Sequence, residues 1–310
     1  MLPSFKEIIV ELSYNCNLSC SMCGFGKAVN PFSTSKYLSI EKYEAILNQV
    51  GGLTETIRLN GRGESTIHPD FIRILNFTKN LYPKLNINLF SNFSFNNIEI
   101  LNSLVDKGVQ LFISLDSTEE DELADIRKGS RFKSILKNIE KVRNLSKRPF
   151  IIFTIQEVNI HRIFDIGNFA FQNDCHILYN TIRRDRGIES FVSIVHKNIQ
   201  SIVEQFDNVH FLYKNSQLRC LYPDQLAGVY LNGVKPSRTH GSMESCPALE
   251  NELCILYDGT ITPCNMFNPF IYGNIFELDL NEVWEGKNRI DFLKSYKDHY
   301  YCKNCANLGM

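Results

Sequence analysis

The sequence predicts an α/β protein built on a parallel sheet, followed by a small second domain. Three observations carry this. β-rich runs alternate with helical periodicity through residues 1–185, the alternation is lost over 186–245, and from Cys246 onward the chain turns to short strands and tight turns. The strand candidates are Ile8 to Leu12, Thr56 to Asn60, Asn86 to Ser91, Gln110 to Asp116, Phe150 to Gln156 and His176 to Asn180. Between them lie amphipathic helices. Tyr43, Ile46, Leu47 and Val50 share one face after a Ser39 cap, and Ile98, Leu101, Leu104 and Val105 share another. Six βα units in series give a parallel sheet, open or curved into a partial barrel, with ligands at the C-terminal strand ends. Residues 186–245 read as a connector with one helix around Glu189 to Phe206. Residues 246–310 read as the second domain, with turns at Asp258-Gly259 and near Pro269 and a helical pattern from Leu280 to about Tyr296.

Composition narrows the class. With 44% hydrophobic and 22% charged residues the chain is ordinarily globular, long enough to bury a core without outside staples. A formal charge of -1 lacks the basic footprint of a nucleic-acid binder. The N-terminal MLPSFKEIIVELSYNC has no signal-peptide apolar region and no stretch reaches membrane-span length, so the expectation is a cytoplasmic protein with no membrane partner. Ten cysteines are many for a reducing compartment, where disulfides are rare, and point to metal or redox chemistry.

Cys16, Cys20 and Cys23 follow C-x3-C-x2-C directly after the first predicted strand, on a loop above the sheet. Three thiolates can hold three irons of a 4Fe-4S cube and leave the fourth open. A structural zinc site wants a fourth Cys or His nearby, and none lies between Cys23 and His68.

This triad, on the loop after the first strand, resembles that of the radical S-adenosylmethionine (SAM) superfamily, and further motifs extend the resemblance. LNGRGEST after the second strand is similar to the family's glycine-rich segment, which implies that Gly63 and Glu64 meet the SAM amino group; Ser65 replaces the usual proline. ISLDS implies Ser114 at the SAM ribose with Asp116 beside it, and Arg127 falls where relatives bind the SAM carboxylate. Many relatives have Thr-Asn-Gly after the third strand, where this chain has Ser91-Asn92-Phe93. The resemblance implies a partial (βα)6 barrel, a flavodoxin- or ferredoxin-type reductant, and reductive cleavage of SAM to methionine and a 5'-deoxyadenosyl radical that takes a hydrogen atom from substrate.

The C-terminal cysteines repeat the theme. Cys246-x12-Gly259-x4-Cys264 is followed by Cys302-x2-Cys305. Two separated pairs of thiolates enclose a metal fully, and zinc competes with iron-sulfur on spacing alone, as does a redox disulfide at the CxxC. CILYDGTITPC, the Gly273-Asn274 pair, Trp284 and the final CxxC together resemble the SPASM and twitch domains, which carry auxiliary 4Fe-4S clusters. The expectation is one auxiliary cluster on Cys246, Cys264, Cys302 and Cys305, with electron transfer as its natural role because no iron is left open. This single-cluster layout is similar to that of family members that oxidise an alcohol on an aminocyclitol.

Other residues admit two readings. Cys254, beside Leu253, Ile255 and Leu256, reads as a small hydrophobe; the sharper alternative is that Cys254 or Cys220 gives a hydrogen atom to a substrate radical. Arg183 and Arg184, in the run Arg183-Arg184-Asp185-Arg186, follow the sixth strand and suit a carboxylate, phosphate or sugar hydroxyl, or form a solvated face. The functions that follow are oxidation of a small polyol, cyclitol or sugar-like alcohol, or modification of a peptide. The first strand begins within ten residues of Met1, which weighs against a preceding peptide-recognition domain.

Overall fold

The computed structural model describes residues 2–23, 25, 36–143, 145–181, 191–222, 246–265 and 270–303. Arg183, Arg184 and Cys305 lie outside the described residues. Six strands appear in the expected order: β1 Glu7–Val10, β2 Thr56–Leu59, β3 Asn86–Ser91, β4 Gln110–Ser114, β5 Phe150–Ile155 and β6 His176–Thr181. Each pairs in parallel with the next. The crossovers carry α1 Ile40–Val50, α2 Phe71–Leu81, α3 Ile98–Asp106, α4 Glu120–Ile126, α5 Phe132–Val142 and α6 Ile163–Gln172.

Local chemistry sets these elements. Ser39 Oγ accepts from the Lys42 N–H at 3.3 Å to start α1, whose buried face is Ile40, Tyr43, Ile46, Leu47 and Val50. The Tyr43 hydroxyl donates to Thr78 Oγ1 at 2.6 Å, since the Thr78 hydroxyl is itself committed to the Ile74 carbonyl. That bond joins α1 to α2 at a net value of about 1 kcal/mol. Asn97 caps α3 by accepting from the Glu99 N–H at 2.9 Å. Leu101 and Leu104 are buried as expected, but Ile98 is 45% exposed, because as the first helical residue it stands a turn short of the inward-facing pair.

Two or more residues of each strand, Ile8, Ile57, Ile87, Leu111, Ile151 and Ile177 among them, join the buried faces of all six helices in a single core. With every helix on that face, the sheet is a partial (βα)6 barrel rather than a doubly wound sheet, and the opposite strand face is its lumen.

Both edges are extended. After α7, Phe191–Tyr213, kinked at Asn198, strand β7 Cys220–Leu221 adds in parallel to β6. The connector helix therefore begins near the expected residue but continues past Phe206, docked on α6 through the Tyr213 hydroxyl, which donates to the Gly167 carbonyl at 3.0 Å. After α8, Pro247–Asn251, strand β8 Glu252–Ile255 pairs in parallel with β1, Glu7 opposite Glu252 through Val10 opposite Ile255. Strands β9 Thr260–Thr262 and β10 Gly273–Asn274 follow antiparallel, giving one ten-stranded sheet in the order β10-β9-β8-β1-β2-β3-β4-β5-β6-β7. The expected second domain is thus not a separate sheet: its first strand covers the free edge of β1. Phe5 and Trp284 meet edge to face at 4.8 Å and seal the joint.

The single helix expected over Leu280 to Tyr296 is two, α9 Leu280–Trp284 and α10 Lys287–Ser295, with α11 Tyr300–Lys303 beyond. They break at Gly286, which is extended and so close to the Glu282 carbonyl that a Cβ would stand 2.6 Å from its oxygen. Among the described residues no helix is long and apolar enough to cross a membrane.

Candidate active site and auxiliary cluster site

The cysteine loop is pinned from three sides at the C-terminal end of the barrel strands. Ser19 and Cys20 form a short antiparallel ladder with Lys128 and Arg127, and the Ser21 N–H donates to the Ile126 carbonyl at 2.8 Å. Asn17 Nδ2 donates to the Ser94 carbonyl at 3.3 Å, and Asn92 Nδ2 donates to Asn17 Oδ1 at 2.9 Å and lies 4.0 Å from Cys16 Sγ. Asn92 keeps this place because Phe93 adopts a left-handed φ of 56°, a conformation glycine would take without cost, and is held there by complete burial.

Cys16, Cys20 and Cys23 stand within electrostatic range of one another. Without iron, burial first and then Glu64 push the Cys16 thiol up to about 12. Burial also raises Cys20, opposed by the Arg127 cation. Among the described residues no three Cys, His, Asp or Glu side chains converge on one point as ligands of a single ion would. A cube does not ask for that, since each thiolate takes a different iron. Three thiols beside one buried guanidinium fit an anionic cluster with an open iron.

A Cβ on Gly63 would stand 2.2 Å from the Asn15 carbonyl oxygen and 2.5 Å from that of Ser13, so this glycine lets two parts of the chain's own backbone touch just ahead of Cys16. Glu64 is 4% exposed. Its Oε1 accepts from the Thr66 N–H at 3.1 Å, the Thr66 hydroxyl at 2.7 Å and the Ser91 hydroxyl at 2.9 Å, and its Oε2 from the Asn92 N–H at 2.8 Å. This carboxylate locks the ends of β2 and β3 together.

Asp116 is likewise engaged inward, with no exposed surface. Its Oδ2 accepts from Arg127 Nε at 2.6 Å and its Oδ1 from the Thr154 N–H at 2.8 Å, so it holds Arg127 in place and does not stand open to a ribose. Burial opposes the Arg127 charge, but Asp116 and the cysteine thiols outweigh it and raise the pKa. Ser114, half-buried at the end of β4, lies on the lumen face.

Several site residues are not singled out by sequence motifs. Glu11, the first residue after β1, accepts from the Arg62 N–H at 2.7 Å, from Arg62 Nε at 2.9 Å and Nη2 at 2.6 Å, and from the Tyr257 N–H at 3.3 Å. The Arg62 guanidinium lies 4.3 Å from the Tyr14 ring centroid, and Tyr14 stacks on Tyr257 at 6.0 Å. Four segments thus meet at one buried carboxylate: the end of β1, the cysteine loop, the glycine-rich loop and the turn after β8. A charge directly after the fully buried run EIIV was the available signal for Glu11. Gln156 Nε2 and Asn60 Oδ1, at the ends of β5 and β2, are buried with no hydrogen-bond partner among the described residues, the condition of groups awaiting a ligand.

The lumen carries an aromatic row in register across four strands. Phe90 and Phe112 stack at 4.3 Å, Phe112 and Phe150 at 5.0 Å, and Phe150 meets His176 at 4.6 Å. Arg58 covers the open end at 5.0 Å from Phe90 and pairs with Glu7. Cys254 also faces the lumen but is 1% exposed, packed with Ile9 and Leu256 and bonded to the Thr262 side chain. Burial pushes its thiol up to about 12. Cys220 shares the face of its partner Ile177 on the helix side, near Tyr179, Tyr213 and Tyr222, away from the lumen.

Cys246, Cys264 and Cys302 all lie within electrostatic range of the Tyr272 phenol. Tyr296 accepts from the Cys246 backbone N–H. The Tyr272 hydroxyl, buried within range of the three thiols, has no hydrogen-bond partner among the described residues, as expected if the donor faces a group with acceptor sulfurs.

Comparison with known proteins places these features. The Radical SAM superfamily model matches residues 10–170, just over half of the 310-residue chain, and the SPASM iron-sulfur cluster-binding domain matches 246–306. A GTP 3',8-cyclase from Desulforamulus reducens is 22% identical over 180 residues, 55% of this chain; the match spans 53% of that protein, about half its length. Streptococcus suis SuiB bound to precursor peptide SuiA superposes with a TM-score of 0.73 at 18% identity, covering 99% of this chain and 71% of that one. BtrN in complex with AdoMet and 2-DOIA gives 0.55 at 16% identity, covering 99% and 95%. The fold, the cysteine loop and the family match agree: the chain belongs to the radical SAM superfamily and carries a SPASM domain, so its cofactors are SAM with a 4Fe-4S cluster and an auxiliary cluster.

Proposed function

We propose that this radical SAM enzyme is an oxidoreductase that removes two electrons from its substrate, the first with a hydrogen atom and the second into the auxiliary cluster. One observation carries the reading. Because β8 runs parallel to β1, the turn after β8 emerges at the same sheet end as the cysteine loop, with Tyr257 on Tyr14 and its N–H on Glu11. A domain that served only as a staple would need no shared carboxylate at the cofactor end.

In this reading Cys16, Cys20 and Cys23 hold the open cluster, and Cys246, Cys264, Cys302 and Cys305 close the second. Ser114 and Arg127 contact SAM, while Glu64 and Asp116 position the loops that do so. When bound, SAM supplies a 5'-deoxyadenosyl radical for hydrogen abstraction. The substrate is an alcohol of a small polyol, cyclitol or sugar-like molecule: loss of a proton and one electron from the carbinol radical gives the ketone. The 95% coverage of BtrN, bound to 2-DOIA, supports that class. A peptide substrate is the second reading, supported by the higher TM-score of 0.73 with peptide-bound SuiB. The burial of Cys254 and the outward face of Cys220 argue against either thiol as a hydrogen-atom donor. Residues 1–185 form the barrel, 186–245 the connector and 246–310 the auxiliary domain, of a cytoplasmic enzyme fed by a flavodoxin- or ferredoxin-type reductant.

The test is anaerobic reconstitution and assay of deuterated candidates, alcohols and peptides, for label in 5'-deoxyadenosine. Label from a carbinol position with ketone formed supports the reading. Label from peptide alone moves the assignment to the second.

A further inference from the structure

Tyr272 is rigidly placed at the entry to β10. Its backbone N–H donates to the Ile261 carbonyl at 2.8 Å, its carbonyl accepts from Asn288 Nδ2 at 3.3 Å, and its ring meets Phe292 at 5.9 Å. The side chain is 4% exposed and its hydroxyl is buried without a hydrogen-bond partner among the described residues. An unpaired buried hydroxyl is costly and so rare that it asks for an explanation.

The surroundings supply one. Cys246, Cys264 and Cys302 all act on the Tyr272 phenol electrostatically, and the Arg289 guanidinium, held 3.7 Å over the Trp284 ring, does so from another side. The second tyrosine of this site differs: the Tyr296 oxygen is already occupied by the Cys246 N–H, so it positions a ligand. The Tyr272 hydroxyl, by contrast, has neither donor nor acceptor partner among the described residues.

We propose that the Tyr272 hydroxyl donates a hydrogen bond to a sulfur of the auxiliary cluster, thiolate or sulfide, and so raises that cluster's reduction potential. The proposal rests on reading Cys246, Cys264, Cys302 and Cys305 as its ligands. Reduction adds negative charge to the cluster sulfurs, so a donor stabilises the reduced form more than the oxidised one.

The experiment is an EPR-monitored redox titration of the full chain, reconstituted anaerobically and with its iron counted. In Tyr272→Phe the auxiliary couple should shift so that its reduced-to-oxidised ratio at fixed poise falls roughly tenfold, about 59 mV for one electron, while the N-terminal couple stays put. Should the phenylalanine variant assemble poorly, 3-fluorotyrosine at position 272, a stronger donor, should move the auxiliary couple upward. Two clusters present with an unmoved auxiliary couple would overturn the bond alone. Wild-type iron sufficient for one cluster only would overturn both the ligand reading and the bond.

Discussion

Arg127 Nε donates to Asp116 Oδ2 at 2.6 Å while the same arginine is the ladder partner of Cys20, so one buried ion pair ties the end of β4 to the cysteine loop. Removing one member of a buried pair leaves the other charge without compensation. Asp116→Ala should therefore cost the iron-free protein about 3–5 kcal/mol. It also frees the Thr154 N–H, which Asp116 Oδ1 accepts. Urea unfolding of the iron-free chain measures this, and a loss under about 1 kcal/mol, the ordinary scale of a point substitution, would deny the pair its structural role.

Glu64 makes a complementary case. All four of its partners are donors: the Thr66 N–H and hydroxyl, the Ser91 hydroxyl and the Asn92 N–H. Glu64→Gln must turn an amide NH2 toward one of them. We expect a loss of about 1–3 kcal/mol in the SAM-free protein, with weaker SAM binding as a consequence of the displaced loop. Unchanged stability with reduced SAM affinity would instead return the carboxylate to a direct contact.

These two residues show what the sequence conveys and what it withholds. The six parallel strands and the α1 face were legible because buried periodicity is a local property: Ile8, Ile57 and Ile87 sit in runs whose pattern needs no partner to be read. The motif at Glu64 was also legible, but not which way its carboxylate points, because that depends on donors from Ser91 and Asn92 brought by another strand. The pairing of Glu252–Ile255 with β1 could not be read, since nothing within a four-residue strand names its neighbour. Arg62 sat inside the recognised LNGRGEST segment, yet its bond to Glu11 spans 51 positions. Gly286 alone could have warned that the helix after Leu280 is broken.

A pH dependence follows from His68. Its Nδ1 accepts from the Asp70 N–H at 3.0 Å, so the ring proton is on Nε2, which donates to the Leu38 carbonyl at 2.7 Å. This neutral ring joins the glycine-rich segment to the far end of the cysteine loop. Burial lowers its pKa below that of the unfolded chain. As pH falls through about 6.5, the unfolded chain takes up a proton that the folded one refuses. The stability present above that pH is therefore lost as pH drops toward the folded-state pKa. Urea midpoints compared between pH 7.5 and 5.5 should fall with acid, and less steeply in His68→Gln. Parallel slopes in the two proteins would show that this imidazole does not link folding to pH.

The last prediction separates an electron acceptor from a staple. Cys302 is buried, and it, Cys246 and Cys264 all lie within electrostatic range of Tyr272, so on the proposed ligand set Cys302→Ala and Cys264→Ala should each disrupt the auxiliary cluster. The N-terminal cluster, held by the Cys20 to Arg127 ladder and the Asn92 contact, is anchored by other elements and should keep about four irons. If the second cluster accepts the substrate electron, SAM cleavage continues in these variants and deuterium still passes from substrate to 5'-deoxyadenosine, because hydrogen abstraction comes first. Oxidised product should collapse, so that 5'-deoxyadenosine accumulates without matching ketone. The Tyr14 to Tyr257 stack and the shared Glu11 join the turn after β8 to the cysteine loop, so a shift of that turn reaches the N-terminal site. Circular dichroism and the unchanged EPR signal of the N-terminal cluster control for that. Product at wild-type yield in a variant that has lost the auxiliary signal would end the acceptor reading and leave the cluster as a brace for the strands beyond β1.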